Sequence, residues 1–161
     1  MINLFYVGRF VIRGKRIDKL LKLSNLLDDL DCEYNFRIFA DVDKNSVEYK
    51  MFEKNDKFNF FGFKKDWFNY LEKDSIMIFV TDYEGCPLSI LEAYKYGHKK
   101  ISLLKIPGIE NYVSPNCISQ DVEEMAMKIK NSQDFENFTN LESFYDKNRF
   151  DSEVSLFFNL I

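Results

Sequence analysis

Short apolar runs alternate along the chain with longer segments whose apolar residues recur at helical spacing. The runs predict β-strands at residues 3–8, 34–40, 58–63, 75–81 and 101–105. The longer segments predict helices at residues 15–30, 46–53, 65–72, 87–96 and 121–132. Because strand and helix keep alternating, we expect an α/β fold, a Rossmann-like parallel sheet of about six strands flanked by helices.

The run at 75–81 is the clearest strand, since it is apolar on both faces, as in the buried centre of a parallel sheet. The pattern weakens after residue 132, and residues 154–161 form an apolar segment. We therefore expect one domain over residues 1–161, with a tail at 133–161 that packs on a domain outside this sequence.

Composition and charge narrow the class of protein. Hydrophobic residues make up 46% and charged residues 30% of 161 residues, which is typical of one globular domain. The net charge of -4 argues against a nucleic-acid partner. No apolar run spans a membrane, and no basic segment followed by an apolar stretch marks a secretion signal. The three widely spaced cysteines favour reduced thiols, so a cytoplasmic location is expected.

The most informative loop follows the strand at 75–81. Ligands of a doubly wound sheet bind at the carboxyl ends of its strands. Here Pro87 fits the first turn of a helix and leaves the backbone N–H groups of Leu88 and Ser89 free, so with the helix dipole they suit a diphosphate. Glu92 lies one turn further on, where its carboxylate can accept hydrogen bonds from ribose hydroxyls. The alternative is that Glu84 only caps this helix and that Glu92 is a solvated side chain.

The segment EGCPLSILEAYKYG, in which seven residues separate Glu84 from Glu92, resembles the signature of the family 4 (group 1) glycosyltransferases. The segments FYVGRF…GKRIDKLL, FNFFGF, PGIENYVS and DVEEMAMKI resemble further family segments in the family's order. The resemblance implies the C-terminal, donor-binding domain of a two-domain GT-B enzyme.

The resemblance also implies roles for individual residues. Arg9 and Lys15 would hold the donor diphosphate and stabilise it as it leaves, and Glu84 would contact hydroxyls of the transferred sugar. The alternative is that both cations are solvated loop residues, and Arg13 and Arg16 lie close enough to share the role. The substrate-binding set comprises Gly8, Gly62, Gly85, Cys86, Pro87, Leu88, Ser89 and Glu92. Within it, Gly85 would let the backbone approach the sugar, Glu92 would hold the ribose, and the backbone near Gly62–Lys64 would flank the base.

Two departures from the family pattern bear on metal and acid–base chemistry. Asp41 and Asp43 replace a glycine-rich turn, but they lack further ligands, and the resemblance implies metal-independent chemistry. His98 lies where the family has no catalytic residue and is interpreted as a loop histidine. We therefore expect no metal and no cofactor, with the nucleotide-sugar bound as a substrate.

The function expected is transfer of a sugar from a nucleotide-sugar to a hydroxyl acceptor on a surface glycan or lipid-linked saccharide, with retention of configuration. The acceptor would bind an N-terminal domain absent from this sequence, so the chain alone should be inactive. The full enzyme would be compatible with peripheral membrane association. The alternative is a non-catalytic module that binds sugar-nucleotides and regulates or scaffolds.

Overall fold

The computed structural model describes residues 1–84, 88–109 and 113–131. Its strands are β1 (Ile2–Val7), β2 (Tyr34–Phe39), β3 (Phe58–Phe60), β4 (Ile76–Phe79), β5 (Lys100–Leu104) and β6 (Ile118–Ser119). Its α-helices are α1 (Asp18–Asp29), α2 (Val47–Phe52), α3 (Leu88–Lys95) and α4 (Val122–Lys130). Short 3-10 helices lie at Trp67–Tyr70 and Pro115–Cys117.

The strands form one parallel sheet in the order β3-β2-β1-β4-β5-β6. The chain builds outward from β1 to β3, returns to the free side of β1 at β4, and continues outward to β6. The predicted parallel sheet is therefore confirmed, and the predicted central strand is buried at Ile76, Ile78 and Val80. The strand order reverses between β1 and β4, and such a reversal opens a crevice at the carboxyl ends of the two strands.

Each face of the sheet carries its own core because alternate strand residues point to opposite faces. On one face, Leu4 and Ile78 belong to a cluster that includes the apolar sides of α1 and α4. On the other face, Phe5 and Met77 pack in a cluster with α3 and Trp67. Helices thus cover both faces, and they hold the carboxyl ends of β1 and β4 side by side.

Two helices begin where the sequence predicted, because a side chain caps each of them. The Ser46 hydroxyl accepts a hydrogen bond from the Tyr49 N–H at 3.1 Å, and the Asp121 carboxylate accepts one from the Glu124 N–H at 2.8 Å. Such caps satisfy N–H groups that a helix leaves unpaired at its start. The helices predicted at 46–53 and 121–132 are therefore observed as α2 and α4.

Four elements differ from their predicted form, and one of them, β3, ends at Phe60 and not at Phe63. Helix α1 begins at Asp18 and not at Lys15, because the left-handed backbone of Arg16 (φ 49°) is incompatible with a right-handed helix. The helix predicted at 65–72 is only the 3-10 helix Trp67–Tyr70. Strand β6 was not identified in the sequence, since its two residues form no apolar run.

His98 lies in the loop between α3 and β5, as the sequence predicted, but it is buried in the core. The residue is 4% exposed, and its Nε2 lies 3.1 Å from the carbonyl oxygen of Phe68. The ring also packs 6.0 Å from the rings of Phe5 and Trp67. His98 therefore joins the end of α3 to the Trp67–Tyr70 helix.

Candidate functional site

The segments that follow β1 and β4 are joined through Gly14. The Gly14 carbonyl accepts hydrogen bonds from the Thr81 hydroxyl at 2.7 Å and from the Asp82 N–H at 3.0 Å. Gly14 has a left-handed backbone (φ 77°), and a Cβ there would lie 3.1 Å from the Tyr83 hydroxyl oxygen. A side chain at this position would strain both the backbone and the contact with Tyr83.

Two adjoining cavities lie at the crevice between β1 and β4. The small cavity has a volume of about 250 Å³, and its lining includes Lys15, Thr81 and Ser89. The large cavity has a volume of about 720 Å³ and extends from β1 towards the segment after β3. Gly8 and Arg9 line both cavities, so a ligand with a charged and an uncharged part can occupy the two together.

Lys15 and Glu84 form an ion pair at the small cavity. The Lys15 Nζ lies 2.6 Å from the Glu84 Oε2, and each side chain is 22% exposed. Their positions are 69 residues apart in the sequence. By resemblance Lys15 was expected to bind the diphosphate of the donor and Glu84 its sugar. In the structure the two side chains contact each other directly.

Arg9 is the second predicted cation and is exposed at the junction of the two cavities. Within the described part of the chain, its guanidinium forms no ion pair. The Tyr6 hydroxyl donates a hydrogen bond to the Arg9 carbonyl at 2.7 Å and thereby fixes the backbone of this loop. Burial raises the pKa of Tyr6 far above its usual value, and the Arg9 charge opposes this rise while the Glu84 charge adds to it. Tyr6 therefore remains a hydrogen-bond donor at neutral pH.

The other nearby arginines have different surroundings. The Arg16 guanidinium binds Asp18 at 2.9 Å and Asp82 at 3.0 Å. Arg13 is exposed and lines neither cavity. The geometry therefore separates Lys15 and Arg9, which line the small cavity, from Arg16 and Arg13, which do not.

Helix α3 begins beside the small cavity. Ser89 lines that cavity, and Leu88, which is 55% exposed, is the first residue of the helix. The first N–H groups of a helix have no partner within the helix and carry partial positive charge. Glu92, one turn further on, lines the large cavity. The predicted site residues Gly85, Cys86 and Pro87 lie outside the described residues.

The large cavity is mostly apolar and has charged groups on its rim. Side chains from the segments after β2 and β3 contribute to its lining, namely Asp41, Phe63, Lys64, Lys65 and Trp67. Gly62 lines neither cavity; its left-handed backbone (φ 73°) instead turns the chain so that Phe63 and Lys64 reach the lining. The substrate-binding role of Gly62 and of the other predicted residues stays a prediction.

No site role was predicted from the sequence for the side chains of Tyr6, Trp67 and Asp82. Tyr6 looked like an ordinary strand residue, Trp67 like a residue of the helix predicted at 65–72, and Asp82 like a loop acid. Only the position of Asp82 beside Glu84 offered a signal. Their surroundings depend on segments that are distant in the sequence.

Neither a metal centre nor a membrane span is found in the part of the chain that the structure describes. No group of three or more histidine, cysteine or acidic side chains there is placed to hold a metal ion. The Asp43 carboxylate accepts a hydrogen bond from the Asn45 N–H at 2.8 Å, as in a turn. No helix in residues 1–84, 88–109 and 113–131 is long and apolar enough to cross a membrane.

Solved structures share this fold. TarM has a TM-score of 0.75 at 22% identity, and the match covers 98% of this chain and 34% of TarM. HepE of Anabaena, in complex with UDP and glucose, has a TM-score of 0.67 at 14% identity, with 99% of this chain and 48% of that protein covered. The pneumococcal O-GlcNAc transferase GtfA, in complex with UDP and GlcNAc, has a TM-score of 0.62 at 16% identity. The match covers 89% of this chain and 31% of GtfA.

These likenesses establish the Rossmann-like fold of a GT-B glycosyltransferase half, and the chain spans 31–48% of the length of these three proteins. The search among curated proteins gave no match. The family described as glycosyl transferases group 1 matches residues 2–133, which is most of the sequence. The chain therefore belongs to the group 1 glycosyltransferases.

Proposed function

We propose that this chain is the donor-binding domain of a retaining glycosyltransferase, which binds a nucleotide-sugar and delivers the sugar to a hydroxyl acceptor. The observation that carries the proposal is the pair of adjoining cavities at the reversal of strand order, with Arg9 at their junction. Lys15, Arg9 and Ser89 line the small cavity, while the large cavity offers the aromatic rings of Phe63 and Trp67 together with the Glu92 carboxylate, an arrangement that suits a diphosphate joined to a nucleoside.

The small cavity suits the diphosphate. Lys15 and Arg9 supply positive charge from one side, and the N–H groups at the start of α3 supply donors from the other. The backbone on both sides of the cavity is held by the fold before a ligand binds, at Arg9 by the Tyr6 hydroxyl and at Gly14 by Thr81 and Asp82. Fixed donors and charges stabilise a leaving group without reorganising as the negative charge develops.

The large cavity suits the nucleoside. Glu92 lines it and would accept hydrogen bonds from the ribose hydroxyls, and Phe63 and Trp67 offer aromatic surface to a base. HepE and GtfA are described in complex with UDP, so uridine is the first base to test. Glu84, beside Lys15, would then contact the hydroxyls of the transferred sugar.

Retention is proposed from the family resemblance, by displacement on the face from which the diphosphate leaves. In that mechanism Arg9, Lys15 and the N–H groups of α3 hold the departing phosphate. The acceptor, a surface glycan or lipid-linked saccharide, would bind a separate N-terminal domain; the predicted tail at 133–161 lies outside the described residues. We further propose a cytoplasmic location, with peripheral membrane association of the full enzyme.

Binding measurements on these 161 residues test the donor site. The chain is titrated calorimetrically with UDP, GDP, ADP and their glucose conjugates, and one nucleoside diphosphate series should bind. Lys15→Gln should weaken that binding about tenfold or more, since a charge-assisted hydrogen bond contributes ~1.5–3 kcal/mol. The matched control is Lys22→Gln, which removes a lysine paired with Glu123 away from both cavities. Absence of binding by every diphosphate, or equal affinity in Lys15→Gln and the native chain, would contradict the proposal.

A turnover assay addresses the acceptor domain. Without that domain no acceptor is held in attack geometry, so the chain alone should release no sugar from the donor it binds. Activity should return when a group 1 N-terminal domain is supplied. Sugar transfer by the 161 residues alone would show that the acceptor domain is dispensable, and binding without restored activity would favour a non-catalytic module.

A further inference from the structure

We propose that Asp82, Arg16 and Lys19 form a clamp that positions Lys15 for the donor diphosphate. The inference rests on the proposed function, and it concerns side chains that lie outside the predicted site. Asp82 lies in the segment after β4, whereas Arg16 and Lys19 belong to the loop before α1 and to α1 itself.

The clamp is built on one carboxylate that contacts two cations. The Asp82 Oδ1 accepts hydrogen bonds from the Arg16 Nη1 at 3.0 Å and from the Lys19 Nζ at 3.1 Å. Arg16 is held at its other edge, where its Nε and Nη2 donate to the two carboxylate oxygens of Asp18 at 3.0 and 2.9 Å. Asp82 is 66 residues from Arg16 and 63 residues from Lys19 in the sequence.

Lys15 lies between the two anchored points of its loop. On one side the Gly14 carbonyl accepts the hydrogen bonds from Thr81 and Asp82, and on the other side Arg16 binds Asp82. The backbone of Lys15 is therefore attached to the segment after β4 through both of its neighbours. Its Nζ reaches Glu84, which belongs to that same segment.

The backbone of Arg16 supports a positioning role over a purely stabilising one. Arg16 has a left-handed conformation (φ 49°), which is unfavourable for a residue with a Cβ. Exposed ion pairs contribute little to stability by themselves, and the side chains of Asp82 and Arg16 are 41% and 34% exposed. The contacts hold the loop in place, so a diphosphate only has to draw the side chain of Lys15 away from Glu84.

The clamp predicts a selective loss of diphosphate affinity in two variants. Asp82→Asn removes the shared charge, and Arg16→Gly removes the guanidinium while suiting the left-handed backbone. Each should weaken UDP binding about two- to tenfold, because ordering a free side chain or loop opposes association by that much. Uridine, titrated by NMR because it binds more weakly, should keep its affinity, since it occupies the large cavity. The variant that carries both substitutions should lose no more UDP affinity than the weaker-binding single variant, because Asp82 and Arg16 act as a unit.

Glu123→Gln is the matched control, because Glu123 binds Lys22 of the same helix α1 at 2.6 Å but lies away from the cavities. It should leave UDP affinity unchanged. Arg16→Gly keeps the test valid if Asp82→Asn fails to fold. Glycine relieves the strained backbone at this position, so the melting temperature of Arg16→Gly should stay close to that of the native chain.

Hydrogen exchange in the ligand-free chain separates failure of the clamp from failure of the proposed function. Amides of residues 13–17 should exchange faster in both clamp variants and not in Glu123→Gln. Unchanged exchange, unchanged UDP affinity, or equal losses for UDP and uridine would overturn the clamp while UDP still binds the native chain. If the native chain binds none of UDP, GDP and ADP, the proposed donor site falls and the positioning role falls with it.

Discussion

Replacing Glu84 by glutamine should change the affinity for a bare nucleoside diphosphate and for its sugar conjugate in opposite directions. In the free protein the Glu84 carboxylate holds the Lys15 ammonium at 2.6 Å, and each side chain is 22% exposed. A diphosphate that binds Lys15 has to compete with that carboxylate and also faces its negative charge. Glu84→Gln removes the charge and keeps the size of the side chain, so bare UDP should bind more tightly.

The size of each effect follows from the type of contact. An ion pair with this exposure contributes ~0.2–1 kcal/mol, so UDP affinity should rise by up to about fivefold. A sugar conjugate gains the same relief but loses its charge-assisted hydrogen bonds to Glu84, each of which contributes ~1.5–3 kcal/mol. If one such hydrogen bond is lost, UDP-glucose should therefore bind about two- to a hundredfold more weakly, net of the gain.

Calorimetric titration of native protein and Glu84→Gln with UDP and UDP-glucose measures both changes, with Glu123→Gln as the matched carboxylate control. If Glu84 only caps α3, its replacement should lower the melting temperature and alter both affinities equally. Equal changes for the two ligands, or weaker binding of bare UDP, would refute the assignment of Glu84 to the sugar.

Three further predictions concern the neighbouring groups. Glu92→Gln should weaken the binding of UDP and of UDP-glucose equally, by about tenfold or more, because a charge-assisted hydrogen bond to the ribose is lost. Calorimetric titration with both ligands measures the two losses, and unequal losses would contradict the assignment of Glu92 to the ribose. Tyr6→Phe removes the hydrogen bond to the Arg9 carbonyl, so the melting temperature should fall by the equivalent of ~1 kcal/mol, and UDP affinity should fall as well if that bond positions Arg9. Burial alone would raise the pKa of Asp82. The hydrogen bonds and charges of Lys19 and Arg16 outweigh that effect, so the pKa lies below its usual value. The small stabilising contribution of Asp82 is therefore fully present at neutral pH and is lost as pH falls through the lowered pKa. The difference in melting temperature between native protein and Asp82→Asn should begin to shrink below about pH 4 and disappear below the lowered pKa.

The α/β alternation could be predicted from the sequence because it depends on local patterns. Apolar runs mark buried strands, and capping residues mark helix starts, as Ser46 and Asp121 show. The positions of Ser89 and Glu92 on α3 could also be predicted, since their spacing along one helix determines how far apart they lie. All of these signals act within a few residues of one another.

The helix predicted from residue 15 shows where local patterns were insufficient. Its apolar spacing is correct, but the helix begins only at Asp18, since the left-handed backbone at Arg16 accompanies contacts with Asp82 from a distant segment. Strand β6 (Ile118–Ser119) was missed for a similar reason, because two residues carry no periodicity and pair only once β5 is in place.

The choice among the cations after β1 also depended on tertiary contacts. Local sequence patterns do not distinguish Arg9, Arg13, Lys15 and Arg16, and only the family resemblance singled out Arg9 and Lys15. Once β4 lies beside β1, Asp82 binds Arg16, Glu84 binds Lys15, and Arg9 is left at the junction of the two cavities. Electrostatic partners 66 and 69 residues away decide which charges face a ligand, and only the folded sheet brings those partners within reach.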